Sequence, residues 1–240
     1  MTLPKAILLD LDDTIIQAHG AQGDAWRQVL RTFADHDAID DHDHLHDHVV
    51  TSARAYWADP EQHRIGRQDI RQARRDIVAQ AFATIELVHD ELAHTIADAF
   101  SDHREAAMKP FPGAIETIDE LRQRGVALGL VTNGGADGQR AKVERFDLTH
   151  RFDHILIEGE FGIGKPEPAV FLHLMEQLES TPDTTWVVGD NLEWEVVAPQ
   201  KLGIHAIWCD AYGNGLPEGS DIKPDRIIQA LPELLEPVGG

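Results

Sequence analysis

The sequence has one cysteine and no long apolar run, and each shortage excludes a class of protein. Cys209 is the only cysteine among 240 residues, so no disulfide can form within the chain. A single inert thiol is typical of a reducing compartment. No run reaches the roughly 18 apolar residues of a membrane span, and the short run Ala6–Leu9 leads directly into aspartates, unlike a secretory signal. We therefore expect a cytoplasmic protein that does not enter a membrane.

Basic residues are also scarce, which bears on the possible ligands. The chain has 21 lysines and arginines against 42 aspartates and glutamates, a formal net charge of −21. Such a surface repels phosphate backbones, so nucleic-acid binding is disfavoured. An anionic substrate would need a local cation, either a metal ion or a placed lysine. With 42% hydrophobic residues the composition is that of a globular protein, which excludes a disordered chain.

The chain does contain short apolar runs that alternate with helical stretches. The first run, Ala6–Leu9, suits a strand that is buried on both faces. Strands alternating with helices are typical of a parallel sheet with helices on both faces, so we predict an α/β fold. The other predicted strands are 126–131, 154–157, 186–188 and 205–208, with a weak one at Ile227 and Ile228.

One long stretch shows helical periodicity and no strand-like alternation. We predict that residues 17–108 form an all-helical domain inserted into an α/β core of residues 1–16 and 109–240. Proline and glycine at 110–113 break the helical pattern and return the chain to the core. The helical stripes include Trp26, Val49, Ile70 and Leu92, and the expected hinges lie near His19-Gly20 and Lys109-Pro110.

Two aspartates follow the first predicted strand. Ligands of an open parallel sheet bind outside the carboxyl ends of its strands. Asp10 and Asp12 are two residues apart, which in an extended segment puts both side chains on one side. Two such carboxylates can divide the roles of nucleophile and acid, although turn and capping aspartates are common alternatives. We expect Asp13 to cap or to face away.

A loop with anion-binding character follows the second predicted strand, and a lysine follows the third. Thr132 offers a hydroxyl, and the backbone N–H groups of Asn133 and Gly134 are suited to hold phosphoryl oxygens. An ordinary Asn-Gly turn is the alternative for this loop. Lys165 brings a point charge that can neutralise a carboxylate and a phosphate together, and an exposed lysine without a role is its alternative.

Acids follow the fourth predicted strand. Asp190 is a hard oxygen ligand that would complete a Mg²⁺ site with Asp10, while helix capping is the alternative. Glu195 lies five residues further on, near the start of a predicted helix. We expect Glu195 to support the metal ligands rather than to bind the metal itself.

These motifs together resemble the haloacid dehalogenase superfamily of hydrolases. The helical insertion resembles the cap of the subgroup that contains phosphoglycolate phosphatase, nucleotidases and sugar phosphatases. The resemblance implies a Rossmann-like three-layer parallel-sheet core with an inserted helical cap. It rests on Asp10-x-Asp12-x-Thr14, Val131-Thr132-Asn133-Gly134, Gly164-Lys165-Pro166, and Gly189-Asp190 with Glu195, in this order along the chain.

The resemblance implies a role for each motif. Asp10 would attack phosphorus, and Asp12 would protonate the leaving oxygen and then activate water. Dehalogenases lack the second acid because a halide needs no proton, so Asp12 favours phosphoryl transfer. The other implied roles are phosphoryl binding by Thr132, Asn133 and Gly134, charge stabilisation by Lys165, and Mg²⁺ binding by Asp10, Asp12 and Asp190 with Glu195 in support.

We therefore expect a magnesium-dependent phosphatase that hydrolyses a small phosphate monoester through an aspartyl-phosphate. A phosphomutase on the same core and a non-catalytic, metal-binding relative are the alternatives. Neither the particular ester, which the cap would select, nor the oligomeric state is written in a recognisable motif. Histidines and aspartates also crowd residues 35–48; such tracts can bind Zn²⁺ or Ni²⁺, but we interpret this one as a solvated stretch between cap helices.

Overall fold

The described residues of the computed structural model form two compact units. One unit comprises Met1–Gln17 and Lys109–Gly240, and the other comprises Ala18–Met108. Gln17, expected in the helical domain, belongs to the first unit, where its backbone N–H donates to the carbonyl of Lys109 at 2.8 Å. The structure describes residues 3–18, 20, 22–33, 36–39 and 41–236, so His19 of the expected hinge and Asp35 and Asp40 of the histidine-rich tract lie outside it.

The first unit contains a parallel sheet, which confirms the predicted α/β class. Among the described residues the sheet has six strands in the order β3-β2-β1-β4-β5-β6. The central strand β1 is buried along its whole length, as expected for an apolar run between two covered faces. The strands are β1 Ala6–Leu9, β2 Ala127–Thr132, β3 His154–Ile157, β4 Thr185–Gly189, β5 His205–Cys209 and β6 Arg226–Ile228.

The second unit is built of helices, and no strand occurs in the part of it that the structure describes. Aspartate side chains begin three of these helices by accepting backbone N–H groups of the first turn. In the core of the unit, the rings of Trp26 and Phe100 stack with centroids 3.5 Å apart. The helices are α1 Gln22–Arg31, α2 His42–Ala58, α3 Pro60–Gly66, α4 Ile70–Thr84 and α5 Asp90–Ala107.

The second half of the histidine-rich tract is helical, so its interpretation as a stretch between helices is wrong for residues 42–48. Helix α2 begins at His42, and the side chain of Asp41 accepts the N–H of His44 at 2.9 Å. An aspartate at this position satisfies a backbone donor and favours the start of a helix. His46 is buried, with Nε2 3.1 Å from the carbonyl oxygen of Gly23.

Short helices connect the strands of the first unit. Because β2 and β4 both run parallel to β1, the loops that follow them lie at the same, carboxyl edge of the sheet. No helix of the described chain is long and apolar enough to cross a membrane. The helices are α6 Ala114–Gln123, α7 Ala136–Arg145, α8 Glu158–Phe161, α9 Pro168–Gln177 and α10 Ala198–Gln200, with 3₁₀ turns at Pro182–Thr184 and Leu231–Leu235 and a π-helical turn at Leu192–Val197.

Candidate active site

The predicted site residues lie at the carboxyl ends of adjacent strands. β1 is the central neighbour of both β2 and β4, and Leu9 pairs with Leu130 on one side and with Val188 on the other. The N–H of Asp10 continues the ladder by donating to the carbonyl of Val188 at 3.0 Å. Because the three strands run in parallel, the segments that follow them meet at one edge of the sheet.

Lys165 lies between two carboxylates in the interior. Its side chain is 1% exposed, and Nζ is 2.5 Å from Oδ1 of Asp10 and 2.7 Å from Oε1 of Glu195. Nζ also donates to the carbonyl of Val131 at 2.9 Å. A lysine ammonium has three hydrogens, so these three acceptors use its full donor capacity. The role implied for Lys165 at the phosphate would therefore act through its charge and through Asp10 rather than through an additional hydrogen bond.

The pKa values of this buried triad follow from its charges. Burial alone would lower the pKa of Lys165, but the charges of Asp10 and Glu195 outweigh burial and raise it above its usual value. Burial raises the pKa of Asp10, and the nearby Lys165 offsets part of that shift. Burial also raises the pKa of Glu195 to about 7. The lysine thus holds two carboxylates in an environment that disfavours their charge.

Glu195 reaches the triad from the π-helical turn after β4. Its Oε2 accepts the N–H of Asn191 at 2.8 Å, which fixes the side chain at the base of the turn. Gly189 makes this approach possible, because a Cβ there would lie 2.1 Å from Cγ of Glu195. The Glu195 carboxylate contacts Lys165, and the supporting role expected for it at the metal ligands stays a prediction.

Asp190 occupies the end of β4 and remains exposed to solvent. The indole Nε1 of Trp208 holds its backbone by donating to its carbonyl at 2.7 Å. The surrounding protein, and then the charges of Asp10 and Glu195, raise the pKa of Asp190 to about 9. Since this side chain keeps contact with water, we attribute the direction of the shift mainly to the crowding of negative charge. A cation at this edge would relieve that crowding.

Asp12 contacts helix α7. Nζ of Lys142 lies 2.9 Å from Oδ1 and 2.7 Å from Oδ2 of Asp12, and Nε2 of Gln139 donates to Oδ2 at 3.0 Å. The amide of Gln139 also donates to the hydroxyl of Thr132, which is buried. Asp12 and Thr132 are therefore joined through one side chain.

The loop after β2 is held by the segment that carries Lys165. The amide of Asn133 donates to the carbonyl of Lys165 at 2.7 Å, and its oxygen accepts the N–H of Lys165 at 2.8 Å. The N–H of Gly134 donates to Oε2 of Glu158 at 2.9 Å. In this geometry the Gly134 N–H, predicted to hold a phosphoryl oxygen, has Glu158 as its partner. The Asn133 side chain joins the loop to the Lys165 segment, and phosphoryl binding by the Asn133 backbone N–H stays a prediction.

Asp13 departs from the expectation that it caps or faces away. It is 5% exposed, its φ is 62°, and its Oδ1 accepts a hydrogen bond from the hydroxyl of Tyr212 at 2.9 Å. The left-handed backbone turns the side chain inward, where its charge contributes to the raised pKa of Asp190. The neighbouring Thr14 hydroxyl is buried without a hydrogen-bond partner among the described residues.

Four residues at this edge were missed by the sequence reasoning. Gln139 and Lys142 have a recognisable signal, since polar residues three apart on the helix after the anion-binding loop share one face. Glu158 directly follows β3, where a polar residue at a strand end is informative. Tyr212 has no such signal, because it lies in an irregular segment after β5.

The donor set is compatible with Mg²⁺. No group of three or more His, Cys, Asp or Glu side chains in the described part of the chain is arranged to hold a metal. Asp10 directly follows β1 and Asp190 directly follows β4, so the carboxylates at this edge of the sheet are oxygen donors. Magnesium commonly binds through one or two carboxylates and takes its other ligands from water and phosphate. Asp10 and Asp190 meet that requirement.

Comparison with known proteins identifies the class of this site. A family model described as haloacid dehalogenase-like hydrolase matches residues 4–203. The chain belongs to the haloacid dehalogenase-like hydrolase family, and it is a hydrolytic enzyme.

Particular relatives are phosphatases. The chain is similar to phosphoserine phosphatase from Thermus thermophilus, with 35% identity over 184 residues that cover 76% of this chain and 67% of that one. It is similar to glyceraldehyde 3-phosphate phosphatase from Methanopyrus kandleri, with 27% identity over 98% of this chain and 97% of that one. Its fold is similar to that of YfnB from Bacillus subtilis bound to magnesium, with a TM-score of 0.70, 22% identity and 97% coverage of both chains.

Proposed function

We propose that the protein is a magnesium-dependent phosphatase that hydrolyses a small phosphate monoester through an aspartyl-phosphate on Asp10. The observation that carries the proposal is the ammonium of Lys165, 2.5 Å from the Asp10 carboxylate at the end of the central strand. It supplies positive charge where an anionic nucleophile must approach an anionic substrate. The phosphatase names of relatives with 35% and 27% identity support the same reaction class.

Asp10 would perform the first step. One of its carboxylate oxygens attacks phosphorus, the bond between phosphorus and the ester oxygen breaks, and that oxygen leaves with a proton from Asp12. In the second step a water molecule gives a proton to Asp12 and attacks the phosphoryl group. The bond to Asp10 then breaks, inorganic phosphate leaves, and both aspartates return to their starting protonation states.

The other residues would orient the reacting groups and neutralise their negative charge. The charge of Lys165 favours the ionised form of the Asp10 carboxylate, opposing the effect of burial, and the contact holds its position. Asp10, Asp190 and the carbonyl of Asp12 would hold Mg²⁺, which when bound supplies positive charge for the phosphoryl oxygens. The Thr132 hydroxyl at the end of β2 accepts a hydrogen bond from Gln139 and would donate its own hydrogen to the phosphoryl group.

Asp12 supports a phosphatase rather than a dehalogenase. A halide leaves without a proton, whereas an alkoxide needs an acid at this position. The Asp12 carboxylate lies next to Lys142 and Gln139, so the group that would give the proton and take it back has a fixed place at this edge. We therefore propose that the second aspartate of the motif is used in catalysis.

A hydrolysis assay tests the proposal. Purified protein is offered p-nitrophenyl phosphate and a panel of phosphorylated metabolites that includes phosphoserine and glyceraldehyde 3-phosphate, with Mg²⁺ or with EDTA. We expect Mg²⁺-dependent phosphate release that falls by about 10³-fold or more in Asp10→Asn, because the nucleophile is lost. Asp137→Asn, at an exposed position in the first turn of α7, is the matched control.

Two outcomes would contradict the proposal. Full activity in Asp10→Asn would exclude this residue as the nucleophile. Transfer of the phosphoryl group to a second position of the substrate, without phosphate release, would indicate a phosphomutase. A radiolabelled phosphoryl group retained on wild-type protein after acid quenching, and absent from Asp10→Asn, would identify the aspartyl-phosphate.

A further inference from the structure

Two side chains on one face of helix α7 bind the carboxylate of Asp12. Lys142 contacts both of its oxygens, at 2.9 Å and 2.7 Å, and Gln139 donates to Oδ2 at 3.0 Å. Gln139 and Lys142 are three residues apart on the helix and are therefore neighbours on its surface. We call these two side chains the α7 bracket.

The α7 bracket is partly buried. The Asp12 and Lys142 side chains are 17% and 20% exposed, and Gln139 is 5% exposed. The amide of Gln139 donates in addition to the hydroxyl of Thr132. A buried amide that joins two residues of the site restricts both, because any rotation of Asp12 breaks a hydrogen bond away from water.

An incidental surface ion pair would look different. Arg140, on the same helix, forms such a pair with Glu160, at 2.9 Å and 2.6 Å, with both side chains about one third exposed. That pair contacts none of the predicted site residues. Lys142 instead points its charge at the candidate acid, and Gln139 adds a second donor to the same oxygen.

We propose that Gln139 and Lys142 are positioning residues that hold the Asp12 carboxylate in the orientation from which it serves the leaving oxygen. The inference rests on the proposed function. Catalytic groups held in their productive orientation avoid an entropic cost in the transition state. Loss of the bracket would leave Asp12 present but free to rotate, so it would weaken proton transfer more than substrate binding.

The test compares two substrates that differ in how much their leaving group needs a proton. An alkyl phosphate releases a poor leaving group that needs a proton, whereas p-nitrophenyl phosphate releases a good one that needs almost none. The value of kcat/KM reports the first step, in which Asp12 acts as acid. If the bracket orients Asp12, its loss should lower kcat/KM for the alkyl phosphate more than for p-nitrophenyl phosphate. If its role is merely structural, its loss should lower kcat/KM for both esters alike.

The experiment compares Lys142→Met and Gln139→Leu with wild type and with Arg140→Met. For an alkyl phosphate hydrolysed by the wild type, we expect kcat/KM to fall by about 10²-fold in Lys142→Met and about 10-fold in Gln139→Leu. For p-nitrophenyl phosphate we expect less than about a threefold loss. Arg140→Met should hydrolyse both esters at the wild-type rate, and Lys142→Arg should recover much of the alkyl phosphate activity.

Equal losses on both esters, or none, would overturn the inference while leaving the proposed function standing if Asp10→Asn remains inactive. Thermal unfolding of each variant shows whether it is folded. If Lys142→Met does not fold, the leaving-group ratio in Gln139→Leu decides instead. A wild-type protein that hydrolyses neither ester in Mg²⁺ would overturn both the proposed function and this inference.

Discussion

Lys165 is a buried ammonium group whose charge is shared by two carboxylates. Replacing it with methionine would leave Asp10 and Glu195 buried without a counter-charge. Breaking such a cluster on one side is costly, so we expect Lys165→Met to lower the free energy of unfolding by about 3 kcal/mol. Phosphatase activity should fall by about 10³-fold, since the charge that favours the transition state is lost. Urea unfolding and steady-state kinetics measure the two effects.

The loss of stability in Lys165→Met should be smaller at acidic pH. Without the lysine, burial favours protonated carboxyl groups, so the deficit should be smaller at about pH 5 than at about pH 8. Lys201→Met is the control, because Lys201 is 71% exposed and 3.9 Å from Glu193; its effect should stay within about 0.5 kcal/mol. A stable, active Lys165→Met would contradict the central place given to this residue.

The residues at strand ends were predictable from the sequence, and their partners were not. Asp10 and Asp190 directly follow apolar runs, and Lys165 lies in the loop beyond β3 and α8; parallel strands bring such segments to one edge. The spacing of Gln139 and Lys142 shows that they share one face of α7, but not that this face meets Asp12, because that depends on where α7 lies in the fold. The Gly134 N–H goes to Glu158 for a similar reason, because that bond depends on the position of β3 beside β2.

At the scale of elements, burial on both faces made the strands readable. β1 and β3 have the bounds expected from their apolar runs. For β1 the reason is its central place, since a strand buried on both faces contains few polar residues that would blur its ends. The start of α2 was missed because histidines and aspartates have modest helix propensity and masked the pattern. The buried positions Leu45, His46 and Val49 show the helical spacing that was present.

The cap of α2 gives a prediction at this scale. The side chain of Asp41 accepts the N–H of His44 at 2.9 Å, and an alanine would leave that donor without its acceptor. We expect Asp41→Ala to lower the free energy of unfolding by about 1 kcal/mol, measured by urea denaturation. Asp41→Asn, which keeps an acceptor oxygen, should lose much less. Equal losses in both variants would show that charge rather than capping stabilises this end.

Helix α8 packs so closely on the loop after β2 that its second residue must be glycine. A Cβ at Gly159 would lie 2.3 Å from the backbone nitrogen of Ala136 and 2.9 Å from the carbonyl carbon of Gly135. Backbone atoms cannot rotate away, so Gly159→Ala should push α8 from the loop and lower the free energy of unfolding by about 2 kcal/mol. We also expect reduced phosphatase activity, because Asn133 and Thr132 precede this loop.

Gly138, in α7, is the matched control for Gly159. A Cβ there meets nothing within 4 Å, and the residue is exposed. Gly138→Ala should therefore raise the free energy of unfolding by roughly 0.5–1 kcal/mol, because alanine loses less backbone entropy in a helix. Thermal unfolding of the two variants should shift in opposite directions. A stabilised Gly159→Ala would contradict the close packing of α8.

At the scale of the whole molecule, negative charge is the dominant electrostatic feature. The net charge of −21 repels itself at neutral pH, and the site adds acids whose pKa values are raised. Burial raises the pKa of Glu195 from 4.5 to about 7, and the surrounding protein together with neighbouring negative charge raises that of Asp190 from 3.8 to about 9. Between the ordinary and the raised values the folded protein binds protons that the unfolded chain has released.

This proton binding predicts how stability depends on pH. A group with a raised pKa stabilises the fold at the acid side, and its contribution is lost as pH rises through the folded value. We expect the metal-free protein to lose about 2 kcal/mol of unfolding free energy between about pH 5 and about pH 9, after discounting for the exposure of Asp190. Urea unfolding is measured in EDTA with roughly 0.5 M NaCl, which screens the repulsion between surface charges. The remaining pH dependence then reports the acids of the site.

Mg²⁺ should oppose this loss of stability with rising pH, because it binds the deprotonated carboxylates of the folded state alone. Its stabilising effect should therefore be small at about pH 5 and grow toward about pH 9, flattening the pH profile. Glu195→Gln removes one titrating group and keeps its shape, so its metal-free profile should already be flatter than that of the wild type. A metal-free stability that rises with pH in high salt, or a Mg²⁺ effect of equal size at both ends of the range, would contradict a cation site built from these crowded acids.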